Sequence, residues 1–124
     1  VQLGSLTPTR DMNFVDDTVE GFIKVAECPA SNGEVINVGT SKEISIGNLA
    51  KKISELMDYS FDLDLDEKRL RPEKSEVNRL MACTKKAQSL MEWTPQTSLT
   101  DGLQQTIDWM RAEVSYFPAE NYQV

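Results

Sequence analysis

An apolar period near the start of this chain restricts what it can fold into. Val15, Val19, Phe22, Ile23 and Ala26 recur at helical spacing, and Asp16, Asp17 and Glu20 crowd the first turn, where the helix dipole favours acids. Cys28-Pro29 ends that helix and Ser31-Asn32-Gly33 turns the chain. The next residues, Glu34-Val35-Ile36-Asn37-Val38-Gly39, read as a short, largely buried strand closed by glycine. A helix, a tight turn and a strand in this order point to a mixed α/β fold.

The remaining segments extend that pattern with more helix than strand. Ser45 is placed to cap a second helix whose core face is Ile46, Leu49, Ile53 and Leu56 or Met57. Phe61-Asp62-Leu63-Asp64-Leu65 alternates apolar and acidic residues, as a half-exposed strand does. The polar stretch from Asp66 to Asn78 reads as a loop, and a short helix follows from Thr84 to Met91. Ser98 with Asp101 resembles a capping box, opening a helix with Leu99, Leu103, Ile107 and Met110 on one face. Trp93 and Trp109 sit on apolar faces and read as core. The 124 residues make one domain, spanning 1–115, with a tail at 116–124 that is loosely held or used as a contact.

Charge and residue usage remove several classes of function. A net charge of −7 gives no basic face to displace counterions, so nucleic acid is not the expected partner. The chain has no histidine, which removes the commonest general base, the usual catalytic triads and the usual zinc sites. Cys28 and Cys83 fit no metal spacing and read as reduced, structural thiols of a cytoplasmic protein. No apolar run approaches the ~18–20 residues needed to cross a bilayer, and no signal peptide is visible.

Against this acidic background, the block Arg10-Asp11-Met12-Asn13-Phe14-Val15-Asp16-Asp17 stands out. A guanidinium just before a helix matches two phosphate oxygens at once through its planar fork. The alternative is a surface ion pair of Arg10 with Asp11, Asp16 or Asp17, which contributes little. Both readings stay open on these residues alone.

Five blocks carry a wider resemblance: RDMNFVDDTVEGF, EVINVGTSKEISIGNLAKKI, RLRPEKSEVNRL, KKAQSLMEWTP and SLTDGLQQTIDW. In this order they resemble the C-terminal part of extended short-chain dehydrogenases/reductases, the NAD(P)-dependent nucleotide-sugar epimerases and dehydratases. RPEKSEV and SIGNLAKKI look most like the UDP-N-acetylglucosamine 4,6-dehydratase type. The resemblance runs from Gly4 to Met110. It implies an α/β, helix-rich substrate domain without the N-terminal Rossmann half, since no G-x-G-x-x-G turn is present to approach a dinucleotide. The family's catalytic tyrosine, four residues before a lysine, is also missing: Leu63 follows Tyr59 at that offset, and Glu120 follows Tyr116.

The resemblance further implies that Arg10 and Arg71 reach the substrate's diphosphate from two sides. Ser5, Thr7 and Glu76 are further candidates for contact with the nucleotide sugar, although Glu76 reads more readily as a solvated loop acid. Arg69 is expected as a surface charge or a support for Arg71, and Gly39 as a tight turn. Two residues depart from the family pattern. Cys83 replaces a helix-capping aspartate, with Thr84 as a substitute cap, and Glu92 stands where glycine allows a left-handed turn, at a cost of ~1 kcal/mol.

Without a Rossmann half, the apolar faces of residues 15–27 and 34–38 are expected to be exposed, giving a homodimer or other self-association. The expected function is the substrate-binding portion of a nucleotide-sugar epimerase or dehydratase, as a fragment or a truncated product. It has no NAD(P) site and no catalysis of its own. The alternative is a stand-alone module that binds a nucleotide sugar or associates with itself.

Overall fold

The computed structural model describes residues 1–70, 72 and 75–113. Arg71 and the tail at 116–124 lie outside the described residues. Four helices dominate: α1 (Val15–Glu27), α2 (Ile46–Met57), α3 (Lys85–Met91) and α4 (Leu99–Glu113). They follow the boundaries expected from periodicity and caps. Ser45 Oγ accepts from the Asn48 amide at 3.2 Å, satisfying one of the orphan donors that open α2. Ser98 Oγ accepts from the Asp101 amide at 3.1 Å and donates to the Asp101 carboxylate at 2.6 Å, a variant of the capping box. Thr84 does not cap α3: its hydroxyl lies 2.9 Å from Ser41 Oγ instead. None of these helices is long and apolar enough to cross a membrane.

Among the described residues, five two-residue strands form two small sheets: β1 (Gln2–Leu3), β2 (Thr9–Arg10), β3 (Ile44–Ser45), β4 (Asp64–Leu65) and β5 (Arg79–Leu80). β1 pairs parallel with β4. β2 is the central strand of the other sheet, antiparallel to β3 and parallel to β5. The alternating segment 61–65 is thus a strand only at its end. Residues 34–38, expected as a buried strand, have no ladder partner among the described residues. Ile36 and Val38 turn inward, while Val35 is 81% exposed.

The core centres on Ala87, Met91 and Trp93, with Val25, Cys28, Ile36, Val38 and Leu90 packed around it. Trp93 is 3% exposed, as its place on an apolar face suggested. Trp109, read the same way, is 55% exposed. Cys28 is half-buried and donates to the Leu90 carbonyl at 3.3 Å, but Cys83 is exposed, so only the first thiol has a structural place.

Helix α1 lies with its apolar side outward. Asp17 and Gly21 are its buried residues, while Val15, Val19, Phe22 and Ile23 are exposed. The inner face works by being small and polar at the right points. A Cβ on Gly21 would lie 3.0 Å from Val38 Cγ1, so a larger residue there would push the Val38 side chain back. Asp17, 6% exposed, accepts from the backbone amides of Gln96 and Thr97, both at 3.0 Å. Those two charge-assisted bonds replace the water that burial removes.

Candidate functional site

The site is built on the parallel pairing of β2 with β5. Thr9 N–H donates to the Asn78 carbonyl at 2.8 Å, and Asp11 N–H to the Leu80 carbonyl at 3.0 Å. This ladder draws the end of the 66–78 loop alongside Arg10. The Arg10 guanidinium is then held by Nη1, which donates to the Thr9 carbonyl at 2.7 Å and the Val77 carbonyl at 2.8 Å. Nη2 meets Glu76 Oε1 at 3.3 Å. The two side chains are 22% and 18% exposed. Two candidates far apart in sequence, Arg10 and Glu76, are therefore in contact.

Among the described residues, none of the expected surface pairings of Arg10 forms. Successive side chains along a strand point to opposite faces, so Arg10 and Asp11 diverge. Asp17 is occupied by Gln96 and Thr97. Asp11 becomes a structural hub. Its Oδ1 accepts from the amide of Thr40 at 2.9 Å and from the Thr40 hydroxyl, and its Oδ2 accepts from the amides of Ser41 at 2.9 Å and Ala82 at 3.2 Å. Gly39 packs against this hub: a Cβ there would fall 2.6 Å from Ala82 Cβ and 2.9 Å from Asp11 Oδ2. Its φ is not positive, so close packing, rather than the expected tight turn, requires glycine.

Sequence reasoning missed Asp11 and Asp17 as anchors. Asp11 adjoins Arg10 and Asp17 belongs to the acidic first turn of α1, but their partners are backbone amides 29 to 80 residues away, which no local pattern reveals.

Ser5 Oγ and Thr7 Oγ1 lie 3.3 Å apart on the loop between β1 and β2. Among the described residues, no hydrogen bond ties either to Arg10 or Glu76. The loop leans on the turn at Glu67–Arg69, where a Cβ on Gly4 would meet the Arg69 carbonyl oxygen at 2.6 Å. Arg69 itself pairs with Asp66 at 3.1 Å. On the edge of the same sheet, Arg79 Nε donates to Glu43 Oε2 at 2.7 Å, and Thr9 donates to the same oxygen at 2.8 Å. The Arg79 hydrogen bond, with that of Thr9, holds the Glu43 carboxyl below the usual carboxylate range. A cavity of about 480 Å³ opens next to the Asp11 hub, between Met12, Thr40, Ile44, Pro95 and Leu99.

Chemically, Arg10 is a cation pinned through Nη1 by two carbonyls, with Nη2 in a longer, 3.3 Å contact to Glu76. Such a group suits an oxyanion, since charge-assisted bonds to carboxylate or phosphate are about twice as strong as neutral ones.

The family model for GDP-mannose 4,6 dehydratase matches residues 1–106. Among curated proteins, the chain is 31% identical over 108 residues to UDP-glucose 4-epimerase of Mycolicibacterium smegmatis, covering 87% of this chain and 33% of that protein. It is 31% identical over 121 residues to human dTDP-D-glucose 4,6-dehydratase, covering 87% of this chain and 31% of that one. In solved structures, 93% of the chain aligns with 34% of an epimerase from Methanothermobacter thermautotrophicus, at TM-score 0.79 and 27% identity. A UDP-glucuronic acid 4-epimerase from Bacillus cereus, in complex with UDP-glucuronic acid and NAD, aligns over 90% of this chain and 35% of its own, at TM-score 0.78 and 27% identity. The chain thus spans about a third of the length of the relatives it matches.

Proposed function

The chain belongs to the GDP-mannose 4,6 dehydratase family of NAD-dependent nucleotide-sugar epimerases and dehydratases, and on that premise we propose that it positions the diphosphate of a nucleotide sugar. Arg10 is one cationic contact and Arg71 the second, with Ser5, Thr7 and Glu76 bordering the ligand. The observation that carries this reading is the anchoring of Arg10 through Nη1 by the Thr9 and Val77 carbonyls, which fixes its charge and leaves Nη2 in only a 3.3 Å contact with Glu76 that an anion can displace. A fixed cation matters here because a chain of net charge −7 otherwise repels a diphosphate. RPEKSEV and SIGNLAKKI resemble the UDP-N-acetylglucosamine 4,6-dehydratase type, which makes that nucleotide sugar the ligand chosen for the test.

We propose that the described residues neither hold NAD(P) nor transfer the proton, functions that belong to the two thirds of the relatives this chain does not match. In support, the glycine with a positive φ among those described, Gly33, precedes residues 34–38 and does not join a strand to a helix. It offers no dinucleotide turn of the kind a pyrophosphate needs. This stretch alone is then a binding portion and no catalyst, and no hydride or proton step is routed through its residues.

The outward apolar face of α1, with Val35 beside it, favours a second reading that complements the first. That face is covered either by a nucleotide-binding half or by a second copy of the chain. A self-associating module with no ligand is the form this reading takes if binding fails.

Isothermal titration calorimetry with UDP-N-acetylglucosamine tests the proposal. Arg10→Ala is expected to weaken binding by about tenfold or more, the loss expected for a sheltered charge-assisted hydrogen bond. Equal affinity in both proteins would refute the role given to Arg10.

A further inference from the structure

We infer that Glu76 is a built-in competitor for the anion site, occupying the ligand-binding side of the Arg10 fork until an oxyanion displaces it. The inference rests on the reading of Arg10 as a diphosphate contact. Arg10 presents two distinct sides. Nη1 is saturated by the Thr9 and Val77 carbonyls, whose distances of 2.7 and 2.8 Å are those of short, strong bonds. The other side, Nε–H with Nη2–H, is the pair that a carboxylate or phosphate accepts as a fork. Glu76 meets one donor of that pair, Nη2, at 3.3 Å and through a single oxygen. Charge-assisted N–H···O bonds are ordinarily ~2.7–2.9 Å, so this contact is long and monodentate.

The guanidinium therefore does not depend on Glu76 for its position. Two backbone carbonyls, one on its own strand and one beside β5, already fix it. What Glu76 supplies is negative charge at the point where an anion has to arrive. A partly exposed pair of this kind contributes little to folding, which makes it easy to open. An incoming diphosphate gains the Nε/Nη2 fork and expels the carboxylate, which its own charge repels. Glu76 then sets which anions enter. Ligands with two adjacent phosphates outcompete it, and single weak anions do not.

The test measures binding of inorganic pyrophosphate by calorimetry to the wild-type chain, Glu76→Gln and Glu76→Ala, each also carrying Arg10→Ala. A control, Glu34→Gln, removes the same unit of charge from an ion pair with Lys86. Glu76→Gln and Glu76→Ala are each expected to tighten pyrophosphate by about fivefold, the upper range for release of a partly exposed ion pair. Glu34→Gln is expected to leave affinity unchanged, and Arg10→Ala to remove binding in every background. If Glu76→Gln weakens binding or leaves it unchanged while Arg10→Ala still removes it, the competitor role is wrong and the diphosphate site stands. Tightening of equal size in Glu34→Gln reduces the effect to net charge and also overturns the inference. If Arg10→Ala changes nothing in any background, the diphosphate reading itself fails, and the competitor falls with it.

Discussion

Arg10 and Asp11 are neighbours in sequence that serve separate purposes, because a strand sends their side chains to opposite faces. The arginine takes two carbonyls and a distant glutamate, and the aspartate takes three backbone amides and the Thr40 hydroxyl. Residue type alone made Arg10 a candidate; its partners depended on a two-residue strand that no periodicity could reveal. Glu92 shows the opposite case. Its departure from glycine was legible in the sequence, and the residue sits at φ 53° at the end of α3, in the left-handed region. A side chain there is strained by about 1 kcal/mol, so Glu92→Gly is expected to stabilise the fold by up to that amount in chemical denaturation. A loss of stability in that variant would mean the Glu92 side chain makes a compensating contact.

Among the elements, the helices were readable and the strands were not. A helix carries its signal locally, in the spacing of apolar residues and in caps such as Ser45 and Ser98. A strand exists only by pairing, and the pairings here join residues 2 with 64 and 9 with 79. Residues 34–38 have the composition of a strand and lack the neighbour. Periodicity located α1, and the family resemblance implied the exposed apolar side that the structure shows. The helix turns Asp17 and Gly21 inward because Asp17 is bonded to Gln96 and Thr97 and Gly21 lets Val38 come close. Its apolar side is left outward, with Phe22 68% exposed. Light scattering is expected to give a mass above the monomer that rises with concentration, and Phe22→Lys to return it toward the monomer. A wild-type chain that stays monomeric at high concentration would show that the exposed face does not bind a second copy.

Across the described residues, the β2–β5 pairing brings the end of the 66–78 loop beside Arg10, and Asp11 ties a further loop to the other face of the strand. Ser5 and Thr7 lie on the loop before β2, Glu76 and Val77 on the loop before β5, and the Thr40–Ser41 loop is tied in through Asp11. The family was legible from five short blocks, and the candidate Arg10 from one of them. The competition between Glu76 and a ligand was not, because it depends on distances that only the fold sets. The central claim is that Arg10 receives the diphosphate of a nucleotide sugar. Its most direct measurement is an NMR titration of the chain with arginine side chains labelled in ¹⁵N. Adding UDP-N-acetylglucosamine is expected to move the Arg10 Nε resonance in a saturable way, and adding N-acetylglucosamine alone to leave it in place. An Arg10 resonance that stays fixed as the nucleotide sugar is added would contradict the claim.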